Sequence, residues 1–330
     1  MRAVVIPRFG GPEVLEVRDL PAPAPGPGEV TVDVAYAGVN HAEVLYRRGD
    51  VDVPLPYTPG IEVAGHIRAL GSGVAGLRAG QPVAALTIVD GGGYAEVVRV
   101  AAPLVFPLDT LAPDLDLSTA AAFPSNTTTA LLVLSTVAHL QKGERVLVHG
   151  ASGGVGSVLG QMARALGAGQ VIGTVGSPDK VDAAKGLGYD TVLLGDSFAD
   201  ALPDATGGAG VDVVVDPVGG EARTRSLAAL NTLGRLVVMG NAGAADDVTV
   251  SANGLWFAGT AVLGFNLALL SARDPERVHA AGEEALRLVA RGSVRVDVTD
   301  VLPLDQAAEA HRRIAARAVR GKLVLRASGA

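Results

Sequence analysis

One glycine-rich segment constrains the fold of this chain more than any other feature. The apolar run Val146–Val148 leads into the turn 150–156, whose letters are GASGGVG, and an apolar helix-forming stretch follows. This is the A-x-G-x-x-G form of a dinucleotide-binding fingerprint, with Ala151 at the first glycine position. Gly153 would let the backbone approach a pyrophosphate, and Gly156 would let helix and strand pack closely. The segment therefore predicts a strand, a turn and a helix that bind a dinucleotide; the alternative is a tight turn that only requires glycine.

Strand-length and helix-length runs alternate on both sides of this turn. Such alternation predicts a doubly wound parallel sheet, with helices on both of its faces. The predicted strands are Arg145–Gly150, Gln170–Val175, Thr191–Leu194, Val211–Val218 and Arg235–Met239, and the predicted helices are Val155–Leu166, Lys180–Leu187 and Glu221–Leu233.

The chain before residue 118 has a different texture, in which short apolar runs alternate with Gly and Pro. This pattern predicts a compact antiparallel barrel or sandwich, with a short helix inserted at Asn40–Gly49. The segment Ser118–Leu140 reads as a helix that is interrupted at Pro124. The C-terminal part predicts two helices and two strands, at Pro275–Ala290, Leu304–Arg317, Val294–Leu302 and Lys322–Arg326.

Composition excludes several classes of function. At about 150 residues per domain, the 330 residues predict two domains. A net charge of −7 and the lack of any basic run argue against nucleic-acid binding. The chain has no Cys, which excludes disulfides and zinc held by thiolates. No apolar run is long enough to cross a membrane and no apolar signal segment is recognisable, so we expect a soluble cytoplasmic protein.

The end of the second strand of this unit bears on the choice between NAD and NADP. An NAD site requires Asp or Glu there, about 20 residues after the glycine turn, whereas this chain has Gly176 and Ser177. Ser177 and Lys180 offer a hydroxyl group and a cation to the 2′-phosphate of NADP. Alternatively, Ser177 caps the helix that begins at Pro178, and the two roles are compatible. Asp179 is an acidic residue near this strand end, so NAD stays possible as the cofactor, but the pattern favours NADP.

Motifs of several other enzyme classes are missing. No Tyr is followed by Lys four residues later, as short-chain dehydrogenases require, and H-E-x-x-H does not occur. The six histidines show no metal-ligand spacing, so no metal site is predicted. His149 ends a buried strand, and we expect it to be a core residue rather than a ligand.

Motifs along nearly the whole chain carry a resemblance to one superfamily. They are AGVN at 37–40, LPYTPGIEVAG at 55–65, GGYAE at 92–96, the turn-containing segment 146–156, GTVG at 173–176, DPVG at 216–219 and GN at 240–241. With these segments the chain resembles the medium-chain dehydrogenases/reductases, and among them the zinc-free quinone oxidoreductases, which include zeta-crystallin.

The resemblance implies an α/β fold of two domains, usually assembled as a homodimer. A GroES-like β-barrel catalytic domain would combine residues 1–122 with 267–330, and a Rossmann NADP-binding domain would comprise residues 123–266. Zinc-dependent members place Cys at the Asn40 position and His at the Ile61 position, and both ligands are missing here. Polarisation of a carbonyl group by a metal ion is therefore not expected.

The resemblance also implies a set of cofactor-binding residues. Asn40 corresponds to a family Asn near the nicotinamide, and Thr129 to a Thr that closes over that ring. The remaining residues are Gly153, Gly154 and Val155 at the pyrophosphate; Gly176, Ser177 and Lys180 at the 2′-phosphate; Asn241 after the fifth strand; Phe265 and Asn266 where the chain returns to the barrel; and the C-terminal Arg317.

Two positions depart from the family pattern. The family often has Tyr five residues after Asn40, where this chain has Leu45 followed by Tyr46. Many NADPH-binding members have Tyr after the third Rossmann strand, where this chain has Gly195. The first departure concerns the proton donor, and the second removes a contact on the adenosine side.

The chemistry implied is hydride transfer from NADPH to a quinone. The acceptor gains negative charge on an oxygen, and Asn40 is the expected hydrogen-bond donor to it, unless Asn40 only bridges structural groups. Tyr46, Tyr57 and His41 are candidate proton donors, with water as the alternative. Two other interpretations stay open: reduction of an enone or enoyl-thioester, both α,β-unsaturated carbonyl compounds, and cofactor binding without turnover.

Overall fold

The computed structural model describes residues 1–327, in which strands and helices follow one another along the whole chain. The strands are β1 (Arg2–Val5), β2 (Glu16–Asp19), β3 (Glu29–Val39), β4 (Glu62–Leu70), β5 (Pro82–Leu86), β6 (Val97–Ala101), β7 (Val105–Pro107), β8 (Arg145–Val148), β9 (Gln170–Val175), β10 (Thr191–Leu194), β11 (Val211–Asp216), β12 (Leu230–Val238), β13 (Ala261–Gly264), β14 (Val298–Pro303) and β15 (Lys322–Arg326). The helices are α1 (His41–Arg48), α2 (Leu108–Leu111), α3 (Leu117–Ala120), α4 (Pro124–Leu131), α5 (Gly154–Ala165), α6 (Val181–Lys185), α7 (Phe198–Thr206), α8 (Glu221–Ala228), α9 (Ala252–Ala258), α10 (Leu267–Arg273), α11 (Pro275–Ala290) and α12 (Ala307–Ala315). In the described part of the chain, none of these helices has the length and apolar character needed to cross a membrane.

The chain divides into two units, each with its own buried core. The end-joined unit contains residues 1–128, 267–292 and the described residues from 296 onward. The middle unit contains residues 129–266 and 293–295. The N-terminal and C-terminal parts of the chain therefore share one unit, and the segment between them forms the other.

The middle unit is built on a six-stranded parallel sheet. Its strand order is β10-β9-β8-β11-β12-β13, and every neighbouring pair is parallel. Numbered along this unit, the order is 3-2-1-4-5-6, which is the arrangement of dinucleotide-binding sheets and confirms the predicted doubly wound sheet. The winding reverses between β8 and β11, and ligands of such sheets bind at the carboxyl ends of the strands at that point.

Apolar runs of the sequence become strands here because the sheet is buried on both faces. All residues in Val146–Val148 of β8 and Val213–Val215 of β11 are fully buried, as expected for central parallel strands that are covered by helices. A core cluster joins side chains of β8, β9, β11, β12 and α7, namely Leu147, Ile172, Phe198, Leu202, Val211, Val214 and Leu236. This packing holds the carboxyl ends of the strands in fixed positions.

The end-joined unit is built on a mostly antiparallel seven-stranded sheet. The strand order along its main path is β14-β15-β3-β4-β5-β7, and β6 pairs with β3. The long strand β3 is central, because it pairs with β15, β4 and β6. A separate two-stranded sheet joins β1 and β2.

Strand register brings three polar positions to the same end of β3. Val39, the last residue of β3, pairs with Leu323, the second residue of β15. Asn40 directly follows β3, Lys322 begins β15, and Glu62 begins β4 on the other side of β3. The three side chains therefore come from neighbouring strand ends, although they are far apart in the sequence.

The structure corrects one predicted helix. The helix predicted at Glu221–Leu233 ends at Ala228, and Leu230–Leu233 belongs to β12. The spacing of apolar residues in this region is also typical of an amphipathic helix. In the structure, however, Leu230 pairs with Val211 of β11, and a register shift follows that pair. Pairing with a neighbouring strand, which local spacing does not show, decides the conformation here.

Element bounds near the C-terminus are partly shifted. The strand predicted at Val294–Leu302 is Val298–Pro303, and the helix predicted at Leu304–Arg317 becomes a 3₁₀ turn followed by α12, which ends at Ala315. Two other predicted elements, Pro275–Ala290 and Lys322–Arg326, have the predicted bounds.

Candidate functional site

The glycine-rich turn lies between β8 and α5, where the winding of the parallel sheet reverses. Gly150 has a φ of 70°, a left-handed conformation that favours glycine. A Cβ atom on Gly156 would collide with the carbonyl oxygen of Gly150, so only glycine lets α5 begin this close to the turn. Gly153 occupies the cap position of α5, and no side chain caps the helix. The first amide groups of α5 are therefore left for an anion, as a pyrophosphate site requires.

A buried tyrosine supports this turn from the side of the core. The hydroxyl group of Tyr189 donates a hydrogen bond to the carbonyl oxygen of Gly156 at 2.6 Å. Glycine at 160 and 173 makes room for its ring, since a Cβ atom would lie 2.7 Å from the ring at Gly160 and 2.9 Å from it at Gly173. These contacts hold the start of α5 against β9.

A buried ion pair orders the loops that follow β11 and β12. The fully buried carboxylate of Asp216 accepts hydrogen bonds from the backbone N–H groups of Val218 at 2.8 Å and Gly219 at 2.9 Å. It also accepts from Nε of Arg223 at 2.8 Å, and Nη2 of Arg223 donates to the carbonyl oxygen of Gly240 at 2.9 Å. Because every one of these groups has a partner, the buried charges rigidify both loops.

The loop after β9 contains the residues predicted to hold a 2′-phosphate. Gly176 is exposed, and a Cβ atom there would meet nothing within 4 Å. Ser177 precedes a 3₁₀ turn, Pro178–Lys180, but its side chain makes no capping hydrogen bond, so capping does not occupy the hydroxyl group. Lys180 is half-buried. The loop combines open space, a hydroxyl group and a cation, which is the chemistry that a phosphate requires.

A buried cluster of Asn40, Glu62 and Lys322 lies at the end of β3 in the end-joined unit. The ammonium group of Lys322 donates to Oδ1 of Asn40 at 2.6 Å and to Oε1 of Glu62 at 2.5 Å. Nδ2 of Asn40 donates to the same Oε1 atom at 2.8 Å. The other carboxylate oxygen of Glu62 accepts from the backbone N–H of Ser125 at 2.7 Å. Asn40 therefore takes part in the structural bonding that sequence reasoning had left open as an alternative to catalysis.

Two further titratable side chains, those of Glu43 and Tyr46, belong to α1. The carboxyl group of Glu43 accepts backbone hydrogen bonds from Asn40 at 2.9 Å and Ile61 at 3.2 Å. Burial raises the pKa of Glu43 to about 7. Burial, and then the charge of Glu43, raise the pKa of Tyr46 to about 12, and its ring packs edge-on against that of Tyr57 at 5.9 Å between centroids. At neutral pH, the hydroxyl group of Tyr46 is therefore protonated.

His41 and Arg317 belong to the same unit as this cluster. Burial lowers the pKa of His41, and the positive charges of Arg48 and Arg317 lower it further. His41 is therefore neutral at pH 7. Arg317 follows α12 with a φ of 54°, which is left-handed.

Most predicted cofactor-binding residues of the middle unit come to one edge of its sheet. They follow the carboxyl ends of β8, β9, β12 and β13 and are Gly153, Gly154, Val155, Gly176, Ser177, Lys180, Asn241, Phe265 and Asn266. Parallel strands present their carboxyl ends at the same edge, which is where such sheets bind nucleotides. Asn241 is held by its own loop, because its Nδ2 atom donates to the carbonyl oxygen of Ala245 at 2.7 Å.

The other predicted site residues lie elsewhere. Thr129 is buried in α4, at the first position of the middle unit. Asn40, Tyr46 and Arg317 belong to the end-joined unit. The assignment of these side chains to cofactor binding or catalysis stays a prediction.

Several important side chains were missed from the sequence. Lys322 and Glu43 were assigned no role, and neither were the buried supports Tyr189 and Asp216. The sequence carries one local signal for Lys322, which stands at the start of an apolar strand. In the structure it is the only buried one of the four lysines. A charged residue almost never becomes fully buried unless it is paired, so a lysine at that position implies a buried partner.

His149 is a core residue, as expected. Its two ring nitrogens are hydrogen-bonded to the hydroxyl groups of Thr174 at 2.9 Å and Ser226 at 2.7 Å. Its ring packs edge-on against Phe198 at 4.8 Å between centroids. Burial lowers the pKa of His149 to about 4, so the imidazole is neutral at pH 7 and joins β8 to β9 and α8.

Two family descriptions match this chain. Residues 26–110 match the alcohol dehydrogenase GroES-like domain, which confirms the GroES-like assignment, and residues 154–287 match the zinc-binding dehydrogenase domain. Across residues 1–327, no three or more His, Cys, Asp or Glu side chains are grouped so that they could hold a metal ion.

Individual relatives match nearly the full chain. The quinone oxidoreductase of Pseudomonas aeruginosa is 36% identical, over 96% of this chain and 97% of its own. That of Rattus norvegicus is 34% identical, over 95% of this chain and 94% of its own. The solved structure of Escherichia coli quinone oxidoreductase complexed with NADPH has a TM-score of 0.89 and 30% identity, covering 98% of this chain and 99% of that one.

Acid should destabilise the protein through His149. The pKa of His149 is about 4 in the folded chain and ordinarily 6.5, so the unfolded chain binds more protons between these values. The stabilisation is fully present above pH 6.5 and is lost as the pH falls through 4. We expect the free energy of unfolding of the wild type to fall by roughly 3 kcal/mol more than that of His149→Gln over this range.

Denaturant titrations of both proteins at pH 7 and pH 4 measure this difference. His311, whose pKa burial lowers to about 3, is common to both proteins, so its effect cancels in the comparison. If the free energy of unfolding falls by the same amount in both proteins, protonation of His149 does not destabilise the fold.

Proposed function

Because this chain belongs to the quinone oxidoreductase family of the medium-chain dehydrogenases/reductases, we propose that it transfers hydride from NADPH to a quinone. The observation that carries the proposal is its likeness to quinone oxidoreductases over nearly the whole chain. The open glycine turn at the reversal point of the parallel sheet supports a dinucleotide. The relative solved with NADPH supports the phosphorylated form.

The residues of the middle unit fit NADPH. When bound, this cofactor supplies the hydride and its electron pair. The uncapped amide groups of α5 hold the pyrophosphate. Ser177, whose hydroxyl group is not used for capping, and Lys180 hold the 2′-phosphate. No Asp or Glu ends β9 to bind the ribose of NAD.

The end-joined unit supplies the groups that face the acceptor. The amide group of Asn40 donates a hydrogen bond to the acceptor oxygen as negative charge develops there. The proton then comes from water. The lowered pKa of His41 leaves that imidazole uncharged at neutral pH, so it holds no cationic proton to give.

These roles divide along the chain at the boundaries implied by the family resemblance. Residues 1–122 and 267–330 form the catalytic domain, and residues 123–266 form the cofactor domain. The two units of the structure support a division of this kind, although residues 123–128 belong to the end-joined unit and residues 293–295 to the middle unit.

We also propose that two copies of the chain pair through the edge of the parallel sheet. Within the described residues, β13 is the last strand of its sheet and pairs only with β12. Trp256 and Phe257 of α9 are 73% and 80% exposed, and Leu233, whose backbone bonds that of Gly259 just after α9, is 79% exposed. An open strand edge beside a large apolar patch is a typical self-association surface.

Quinones should be the preferred acceptors. We expect 1,4-quinones to oxidise NADPH with a kcat/KM at least roughly tenfold above that of 2-enones or enoyl-thioesters. Loss of NADPH fluorescence measures all three classes in one assay. Gly153→Asp, which sets a carboxylate against the pyrophosphate, is the inactive control. Preference for an enone or thioester would replace the proposed substrate, and tight NADPH binding without any turnover would remove the enzymatic function.

The 2′-phosphate should account for cofactor choice. A hydrogen bond to a charged group contributes about 1.5–3 kcal/mol, so Lys180→Ala should raise the Kd for NADPH roughly tenfold or more and leave that for NADH nearly unchanged. Fluorescence titration of each cofactor measures both constants. Lys185→Ala is the matched control, since Lys185 is exposed and bonds Asp182 at 2.9 Å. Equal losses for both cofactors would assign Lys180 to the fold or to the pyrophosphate.

Charge on the apolar patch should separate the copies. We expect the wild type to be a dimer and Trp256→Glu/Phe257→Glu to be a monomer, because two carboxylates would lose their hydration in the interface. Light scattering across a concentration series gives the masses. Val89→Glu, at a residue of the end-joined unit that is 44% exposed, should remain dimeric. A monomeric wild type, or a dimeric double variant, would contradict this interface.

A further inference from the structure

We propose that Lys322 is a positioning residue for hydride transfer: its buried ammonium group orients and polarises the amide of Asn40, whose second N–H group then donates to the acceptor oxygen. This inference rests on the proposed function, since it takes Asn40 to face that oxygen. It concerns a side chain that neither the fingerprint nor the family resemblance singled out.

The hydrogen bonds leave the amide of Asn40 only one favourable orientation. Its oxygen accepts from the ammonium group of Lys322 at 2.6 Å, and its nitrogen donates to the carboxylate of Glu62 at 2.8 Å. A flip of the amide would turn N–H groups toward an ammonium group and oxygen toward a carboxylate. Both bonds would become repulsive contacts, so the two charged partners fix which way the N–H groups point.

One N–H group of Asn40 is left for a ligand. A primary amide has two donor hydrogens, and among residues 1–327 Nδ2 has a single acceptor, Oε1 of Glu62. Asn40 is 8% exposed, whereas Lys322 is 3% and Glu62 0% exposed. The two charged residues of the cluster are therefore less accessible than Asn40, and the amide of Asn40 is the group able to contact an acceptor.

The ammonium group also makes that N–H group a stronger donor. Hydrogen bonds to ionised groups are about twice as strong as neutral ones, and the surroundings of Lys322 exclude water, which strengthens the interaction further. The cation draws electron density in the amide from nitrogen toward oxygen. Polarisation along such a hydrogen-bonded chain strengthens the next bond in line, which here is the bond to the acceptor.

The reaction balances without any further reagent. Bound NADPH would supply the hydride as its C–H bond breaks; an O–H bond forms at one carbonyl oxygen of the quinone, and an electron pair moves through the ring onto the other oxygen. Asn40 stabilises this second oxygen while it is charged, and water then protonates it and releases hydroxide to the solvent. The products are hydroquinone and the oxidised cofactor, and Lys322 keeps its proton throughout.

A purely structural role for Lys322 is the competing explanation. Glu62, Lys322 and Asn40 link the ends of β3, β4 and β15, so loss of the ammonium group would destabilise the unit in either case. The two explanations differ in what restoring the charge would do to kcat, and in whether Lys322 acts through Asn40.

The absence of Cys from the chain allows a clean test. Lys322→Cys introduces a single thiol, which bromoethylamine converts to an aminoethyl thioether that restores the ammonium group. The reaction is run on the unfolded chain, which is then refolded, and the wild type passes through the same steps as the control. We expect Lys322→Cys to lower kcat for a quinone roughly tenfold, with the Kd for NADPH within about twofold, and aminoethylation to restore most of the kcat.

A double-variant cycle tests whether Lys322 works through Asn40. Glu62→Gln/Lys322→Met removes both charges together and avoids a lone buried carboxylate. We expect Asn40→Ala to lower kcat/KM about 100-fold, and the combination of all three substitutions to be no slower than Asn40→Ala alone. The inference would be overturned if the losses of kcat/KM from Asn40→Ala and from Glu62→Gln/Lys322→Met were additive. It would also be overturned if aminoethylation failed to restore kcat. Either result would leave the proposed function intact.

A readout without turnover separates this inference from the proposed function. In protein labelled with ¹⁵N-asparagine, the side-chain signal of Asn40 is identified by its loss in Asn40→Ala. We expect its Nδ2 and proton shifts to change in Lys322→Cys and to return on aminoethylation. If the chemical shifts of Asn40 stay the same with and without the ammonium group, the proposed polarisation of its amide is refuted, even if no quinone is reduced. Absence of quinone turnover in a wild type whose signal behaves as expected would instead count against the function alone.

Discussion

The carboxylate of Glu62 is the group on which the end-joined unit depends. It accepts hydrogen bonds from Asn40, Ser125 and Lys322, which lie 22, 63 and 260 residues away in the sequence. Removing an anion from water costs several kcal/mol, and only a complete set of donors with good geometry offsets that cost. Four segments of the chain must therefore be in register before this carboxylate is satisfied. The bonds that make its burial tolerable are also those that prevent the amide of Asn40 from rotating, so the fold and the proposed acceptor site share one set of interactions.

Local sequence was enough to predict the glycine turn and most of the strands of the middle unit. A glycine turn such as 150–156 is decided by contacts within a few residues, because the carbonyl oxygen of Gly150 excludes a side chain at Gly156. Buried parallel strands show as continuous apolar runs, and two of them, Gln170–Val175 and Thr191–Leu194, have the predicted bounds. The edge at which such sheets bind nucleotides follows directly from those strands and the turns after them.

The features that sequence reasoning missed depend on partners far along the chain. Leu230–Leu233 is a strand because β11 lies beside it, and helix-like spacing alone suggested otherwise. The register of β15 on β3 brings Lys322 to Asn40, and no motif near either residue records it. Asn40 was assigned from its place in a family pattern, yet the group that orients it comes from the last strand of the described chain. The family pattern therefore singled out Asn40 as a candidate, whereas no local motif predicted the partner that orients its amide.

The pairing of β15 with β3 has a consequence for how the protein is made. A ribosome synthesises β3 and β4 early, but the ammonium group that neutralises Glu62 emerges only with β15, after every other strand. The six strands of the middle unit are complete by Gly264 and are able to pair before that point. The nascent chain thus spends part of its synthesis with all strands of the parallel sheet made and the antiparallel sheet lacking its final strand. Exposed strand edges at that stage favour aggregation, so the antiparallel sheet is open to wrong pairing until β15 has been made.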